Sequence, residues 1–145
     1  MPTPLLEVRN LRVGFQTDEG LLTAVDGVDF ILEAGKTLGV VGESGCGKSV
    51  TAMSLMRLLP QPAGRILSGE VLLEGRDLTK LPIDAMRKIR GNDIAMIFQE
   101  PMTALNPVQP VGMQIIEAIQ LHEPTTPAKA LRRAVELMEW VGIPA

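Results

Sequence analysis

The chain has 145 residues and a mass of 15.7 kDa, the size of one domain that can bury a core. Apolar residues make up 46% and charged residues 21%, which excludes disordered, collagen-like and coiled-coil classes. The formal net charge of -3 gives no overall basic field for a nucleic acid or an anionic lipid surface. The single cysteine excludes an internal disulfide framework and a multi-cysteine metal site.

The sequence also has no hydrophobic segment of the kind that inserts into a membrane or directs secretion. No run approaches the roughly 18 apolar residues that a transmembrane helix requires. The start of the chain, Met1 to Pro4, lacks the basic and apolar regions of a secretory signal. We therefore expect a soluble cytosolic protein, which another subunit would have to hold at any membrane where it works.

The first third of the chain predicts antiparallel strands. Residues 5–15 alternate apolar and polar side chains, but the apolar phase changes around Asn10, which predicts one or two strands with a bulge or bend. Residues 16–20 are polar and predict a turn. Two further strands follow, and Asp26-Gly27 between them predicts a hairpin.

A strand, a glycine-rich loop and a helix follow in that order. Residues 37–41 form a short apolar run without alternation, typical of a strand buried on both faces. Residues 48–59 carry apolar side chains at helical spacing before Pro60. Residues 94–98 predict a second buried strand.

The remaining elements are shorter or lie toward the end of the chain. Thr126 and Pro127 suit the first positions of a helix, and Gly142 suits its end. The sequence predicts a strand at 71–73, helices at 83–90, 111–121 and 128–141, and an ordered loop or linker at 99–110.

The glycine-rich loop carries the strongest chemical signal. It matches the pattern G-x-x-x-x-G-K-[ST] directly after a predicted strand and at the start of a predicted helix. Glycines allow successive N–H groups to surround an anion, and the helix N-terminus adds a partial positive charge. Lys48 can reach the β and γ phosphates, and the hydroxyl of Ser49 can coordinate Mg²⁺. The nucleotide-binding residues predicted here are Gly42, Glu43, Ser44, Gly45, Cys46, Gly47, Lys48, Ser49 and Val50.

Two further residues with reactive side chains, one in this loop and one later in the chain, can each be explained without a chemical role. Cys46 is either a small side chain that fits the loop or a thiol activated by Lys48 and the helix N-terminus. His122, the single histidine, is interpreted as a solvated residue at a helix end. Residues 21–26 match the pattern of an acidic strand that holds Mg²⁺ best, but they precede the loop, so the sequence does not support this role for them. A full catalytic set is therefore missing.

Residues 35–49 and the segment IAMIFQEPMTALNP at 94–107 together resemble the ATP-binding subunits of ABC transporters. The continuation after Gln99 is most similar to the subunits of dipeptide and oligopeptide importers. The resemblance implies an α/β P-loop NTPase fold with an antiparallel N-terminal β-subdomain, parallel core strands and the start of a helical subdomain. It divides the chain into an antiparallel region at 1–34, a P-loop core at 35–100 and a helical region at 101–145.

The resemblance also implies roles for individual residues. Phe15 lies where the family places an aromatic side chain that stacks on adenine, although it could be a core aromatic that ends a strand. Gln99 corresponds to the Q-loop glutamine, which contacts Mg²⁺ or the attacking water; the alternative is an ordinary loop glutamine. The implied catalytic residues are Gln99 and Lys48, the implied metal ligands are Ser49 and Gln99, and the implied cofactors are ATP and Mg²⁺.

A complete importer subunit of this family would pair with a second ATP-binding subunit, identical or different, and with transmembrane permease subunits. A substrate-binding protein would act indirectly, no nucleic acid is expected, and the location would be the cytoplasmic face of the cell membrane. The chain resembles only the N-terminal part, because the signature motif, the Walker B strand and the switch histidine are not in it. Two alternatives stay open: a nucleotide-binding module without turnover, and a soluble ABC ATPase of DNA repair or translation.

Overall fold

A computed structural model describes residues 4–99 and 104–143. The chain forms two compact units, residues 1–86 and residues 87–145, and the boundary falls within one helix. The elements in chain order are β1 (Leu6–Thr17), β2 (Gly20–Leu32), α1 (Lys48–Leu55), β3 (Gly64–Leu73), β4 (Arg76–Asp77), α2 (Ile83–Ile89), α3 (Val111–His122) and α4 (Pro127–Trp140).

The first unit is built on a four-stranded antiparallel sheet with the order β2-β1-β3-β4. β1 is central: Val8 pairs with Phe30 of β2 on one side and with Val71 of β3 on the other. Apolar side chains at alternating positions of β1 point to one face, because successive residues of a strand face opposite sides. The fully buried large side chains of this unit include Val8, Leu11, Val13, Val71, Leu78 and Met86.

The predicted irregularity at Asn10 is confirmed. Asn10 has a φ of 45°. The pairing of β1 with β2 and its pairing with β3 both change register at this residue. The extra residue explains why the buried positions change from Leu6 and Val8 to Leu11 and Val13. The side chain of Asp29 accepts a hydrogen bond of 2.9 Å from the backbone N–H of Asn10 and stabilises this bulge.

The hairpin predicted at Asp26-Gly27 is wrong. β2 continues through these residues to Leu32, and the chain reverses earlier, between Thr17 and Gly20. Gly27 has a φ of 73° and lies where the register against β1 shifts between Leu11 and Arg12. The glycine therefore permits a bulge in β2. A hairpin turn would require the same positive φ, but the chain does not turn here.

The two predicted parallel strands are not formed among the described residues. Residues 37–41 and 94–98 have no strand assignment apart from an isolated parallel bridge between Arg90 and Ile94. Val41 is 93% exposed and Ile97 is 99% exposed. A strand buried on both faces needs hydrogen-bonded neighbours in the same sheet, and neither run has such a neighbour in the described ranges.

Helix α1 ends four residues earlier than predicted, at Leu55. The N–H of Arg57 bonds to the carbonyl of Ser54 at 3.0 Å, and the N–H of Leu58 bonds to Met53 at 2.9 Å. This pair of bonds is the Schellman arrangement, which requires a left-handed residue after the helix. Arg57 supplies it with a φ of 52°.

The second unit contains the α3–α4 pair. The prediction for α4 is confirmed: Thr126 is the N-cap, its side chain accepts a bond from Lys129 N, and Pro127 occupies the first turn. Ala130 and Ala134 are buried, and α3 packs against α4. The loop before α3 is ordered by Gln114, whose amide bonds the backbone of Asn106 in both directions at 2.9 Å.

Asp77, at the end of β4, pairs with Lys80 and also accepts hydrogen bonds from Thr79. Its Oδ1 accepts bonds from the N–H and hydroxyl of Thr79 at 3.0 and 2.7 Å, and its Oδ2 lies 2.8 Å from Lys80 Nζ. Burial alone would raise the pKa of Asp77, but the hydrogen bonds from Lys80 and Thr79 outweigh it. The pKa therefore lies below the ordinary value of 3.8.

We expect this carboxylate to make folding stability dependent on acid pH. Because the folded pKa is below the unfolded one, the contribution is complete above about pH 4 and is lost as pH falls through the folded pKa. Asp77→Asn should remove this dependence and cost about 1–2 kcal/mol at pH 7, measured by urea unfolding at pH 7 and pH 3. Asp18→Asn, in the exposed hairpin turn, is the matched control. An unaltered pH dependence in Asp77→Asn would contradict the assignment.

Candidate phosphate-binding loop

The glycine-rich loop lies between residues 37–41 and the first turn of α1. Gly45 and Gly47 have φ values of 83° and 90°, in the left-handed region that glycine adopts without strain. Gly47 is also the N-cap of α1. A Cβ there would lie 2.7 Å from the carbonyl oxygen of Ala24 in β2. Both its backbone conformation and its contact with the sheet therefore require glycine at position 47.

Lys48 closes the loop through its ammonium group. Lys48 Nζ donates to the carbonyl of Gly42 at 2.7 Å and to the carbonyl of Glu43 at 2.6 Å, and it lies 3.4 Å from Cys46 Sγ. A lysine ammonium has three donors, and these three acceptors account for all of them. Two of the three acceptors are backbone carbonyls, which carry no charge, so a phosphate group could replace them with stronger, charge-assisted bonds.

The N-terminus of α1 fits an anion. Its first turn contains no acidic residue, so no side-chain carboxylate competes with an anion for the free N–H groups of the helix. Ser49, the second helical residue, is exposed, and its hydroxyl is the type of oxygen ligand that Mg²⁺ accepts alongside water. The residues present therefore fit a polyphosphate with its magnesium ion.

Other predicted loop residues serve the backbone of the loop. Glu43, Ser44 and Cys46 are exposed, and the carbonyl of Glu43 accepts bonds from Lys48 Nζ and, at 3.4 Å, from the N–H of Cys46. The sulfur of Cys46 would lie 2.6 Å from a Cβ at position 42, so Gly42 makes room for this side chain. Val50, half-buried, contributes the carbonyl that accepts a bond from Ser54.

Phe15 lies in the same unit, near the end of β1. It pairs with Leu22 of β2 and with Gly64 of β3, and its ring is half-buried. A Cβ at Gly64 would lie 2.8 Å from Phe15 Cε1, so the ring rests directly on the glycine backbone. The neighbouring segment of β2 also contacts Gly47 through Ala24, so β2 contacts both Phe15 and the loop.

Gln99 belongs to the second unit and is exposed. It follows residues 94–98, and the next four residues, 100–103, lie outside the described residues. Of the loop or linker predicted at 99–110, the structure therefore describes residue 99 and residues 104–110. His122 is the last residue of α3, as predicted, but it is half-buried rather than fully solvated. Its Nε2 would lie 2.8 Å from a Cβ added at Gly91.

Sequence reasoning missed the residues that fix the first turns of α1. The N–H and hydroxyl of Thr51 donate to the carbonyl of Gly47 at 2.8 and 3.0 Å, and buried Ser54 donates to Val50 at 2.6 Å. The contact between Ala24 and Gly47 was missed as well. Serine and threonine inside a helix signal such back-bonding weakly, whereas no sequence pattern reports the Ala24 contact.

Within residues 4–99 and 104–143, no group of three or more His, Cys, Asp or Glu side chains could hold a metal ion. No described helix has both the length and the hydropathy needed to cross a membrane. A glycine loop at a helix N-terminus, closed by a lysine and followed by a serine, defines a P-loop phosphate-binding protein.

Comparisons with known proteins agree with this class and narrow it. The profile described as ABC transporter matches residues 25–145. A probable peptide ABC transporter ATP-binding protein of Sinorhizobium fredii is 50% identical over 139 residues, which cover 96% of this chain and 42% of that protein. The oligopeptide transport ATP-binding protein OppD of Bacillus subtilis is 51% identical over 142 residues, covering 98% of this chain and 40% of that protein.

The chain therefore belongs to the ABC transporter family. It is also similar to the dimeric structure of a bacterial ABC transporter cassette, with a TM-score of 0.77 and 20% identity over 92% of this chain and 56% of that chain. A post-hydrolysis structure of that cassette, bound to ADP and Pi, gives a TM-score of 0.78 at 20% identity. These likenesses confirm the predicted cassette fold. The chain spans about two fifths of the length of the curated relatives.

Proposed function

We propose that this chain is the ATP-binding part of an energy-coupling subunit of an ABC importer for peptides. The geometry of Lys48 supports this proposal most directly, because its ammonium closes a glycine loop at the N-terminus of α1 through uncharged acceptors. Polyphosphate would replace these acceptors with charge-assisted bonds. The names of the relatives described above support peptides as the cargo of the complete transporter.

In this proposal, the loop residues 42–50 bind the phosphates of ATP, and Lys48 neutralises charge on the β and γ phosphates. The hydroxyl of Ser49 is a ligand of Mg²⁺. When bound, Mg²⁺ would neutralise part of the negative charge of the phosphates. Gln99 is proposed as a further ligand or as the group that orients the attacking water, since a neutral amide can accept a bond from water without adding charge.

The partners and location follow from the same proposal. Two ATP-binding subunits would enclose two MgATP, and permease subunits would hold them at the cytoplasmic face of the membrane. We further propose residues 1–34 as the antiparallel region, 35–100 as the P-loop core and 101–145 as the start of the helical subdomain.

The role of Phe15 can be tested by separating base binding from phosphate binding. Phe15→Leu keeps an apolar side chain against Gly64 but removes the flat ring. Stacking of a base on an aromatic side chain contributes about 1–3 kcal/mol, so we expect calorimetry to show MgATP affinity at least about 5-fold lower. Affinity for magnesium tripolyphosphate, which has no base, should stay within about 2-fold. Equal losses for both ligands would indicate that Phe15 only packs in the core.

The role of Gln99 can be tested in a chain that contains the rest of the cassette. Gln99→Ala should lower kcat for ATP hydrolysis by about 10-fold or more, because mispositioned water raises the barrier, while MgATP affinity changes by less than about 3-fold. Gln120→Ala, at an exposed position of α3, is the matched control. Wild-type turnover in Gln99→Ala would remove the proposed role.

A further inference from the structure

A second cleft lies in the first unit and shares no residue with the phosphate-binding loop. Its volume is about 480 Å³, within the range of small-molecule sites. It opens where the segment after α1, the start of β3 and the segment after β4 meet. The lining residues are Arg57, Leu59, Gln61, Arg65, Ile66, Thr79 and Ile83.

The polar lining of this cleft favours a negative charge. It contains two arginines and no Asp or Glu, although the whole chain carries a net charge of -3. Arg65 is exposed and makes no ion pair with a described residue. The carboxylate of Asp77, which binds the lining residue Thr79, is already paired with Lys80 at 2.8 Å. Arg65 therefore supplies positive charge to this cleft.

Arg57 is held in a fixed orientation on one wall. It occupies the left-handed position after α1, with a φ of 52°, where glycine is the favoured residue. Its Nη1 donates to the carbonyls of Leu78 and Leu81. These bonds tie the end of α1 to the segment that carries Thr79 and Ile83, so the two walls are connected.

Three of the lining residues are apolar. Leu59 is buried, Ile66 is half-buried, and Ile83 is 47% exposed at the start of α2. Pockets of this kind bind ligands by an apolar body and orient them by a few polar groups, and arginine is suited to bind carboxylate or phosphate with two parallel hydrogen bonds. We propose that this cleft binds a small organic anion, an apolar body that carries one carboxylate or phosphate.

The test uses phenyl phosphate and phenylacetate as probes, with benzyl alcohol as the uncharged comparison. The 145-residue chain is saturated with MgATP, or carries Lys48→Ala, so that the phosphate-binding loop does not contribute. We expect one or both anions to shift the backbone amide NMR signals of Ile66, Thr79 and Ile83, whereas benzyl alcohol does not. Which probe binds identifies the head group.

Three variants separate binding in the cleft from a general charge effect. Arg65→Gln should weaken binding of the anion at least about 5-fold, and Ile83→Trp should abolish it by filling the opening of the cleft. Arg132→Gln, which removes the same charge from an exposed position of α4, should leave the affinity within about 2-fold. Absence of shifts at the three amides with both anions, or equal affinity in Arg65→Gln and wild type, would overturn the proposal.

Discussion

Lys48→Ala is expected to lower the affinity for MgATP by at least about 100-fold, beyond detection in an ordinary calorimetric titration. The ammonium group would make charge-assisted bonds to two phosphates, and each such bond contributes about 1.5–3 kcal/mol. The fold should persist, because the carbonyls of Gly42 and Glu43 that Lys48 now binds are in exposed residues and can bond water instead.

The matched control is Lys129→Ala, which removes the same charge from an exposed position near the start of α4. Its affinity for MgATP should equal that of the wild type within about 2-fold. Circular dichroism of both variants should match the wild type. Unchanged nucleotide affinity in a folded Lys48→Ala protein would contradict the role assigned to this loop.

Gly69→Ala is expected to have the largest effect on stability, lowering the free energy of unfolding by about 3–5 kcal/mol. Gly69 has a φ of 97°. An added Cβ would collide with the carbonyl of Asn10 and lie 2.6 Å from Leu11 Cα and 2.7 Å from the carbonyl of Arg9. These atoms belong to the backbone of the central strand, so no side-chain rotation can relieve the contact.

Comparison with Gly20→Ala distinguishes the cost of the steric clash at position 69 from the cost of a positive φ in a residue other than glycine. Gly20 has a φ of 123°, and a Cβ there would meet no atom within 4 Å. This variant should therefore lose only the cost of the unfavourable φ, about 1–2 kcal/mol. Urea unfolding of both variants measures the difference. Equal losses would show that close packing of β3 against the bulge in β1 is not what requires glycine at position 69.

The sequence predicted correctly those features that depend on residues close together in the chain. The caps at Thr126 and Pro127 gave the start of α4 correctly, and the change of apolar phase at Asn10 gave the bulge in β1. The spacing of Gly42, Gly47 and Lys48 located the candidate site, because the loop geometry depends on residues that are neighbours in sequence.

The incorrect predictions concern interactions between distant segments. Asp26-Gly27 has the same local sequence whether it turns the chain or bulges, and pairing of β2 with β1 decides between them. The apolar runs 37–41 and 94–98 have strand composition, but a strand exists only with a hydrogen-bonded neighbour. The contact of Gly47 with Ala24 likewise depends on how β2 lies beside the loop.

The central place of β1 has a consequence for how the nucleotide loop folds. β1 pairs with β2, which precedes the phosphate-binding loop in sequence, and with β3, which follows it. Residues 33–63 therefore form one long connection between two strands that both pair with β1. Bringing together the two ends of a connection of this length costs roughly 3 kcal/mol of chain entropy. The β1–β2 hairpin, whose contacts are local, can form first, and docking of β3 then completes the enclosure. We therefore expect the phosphate-binding loop to acquire its shape only when the second half of the sheet joins the first.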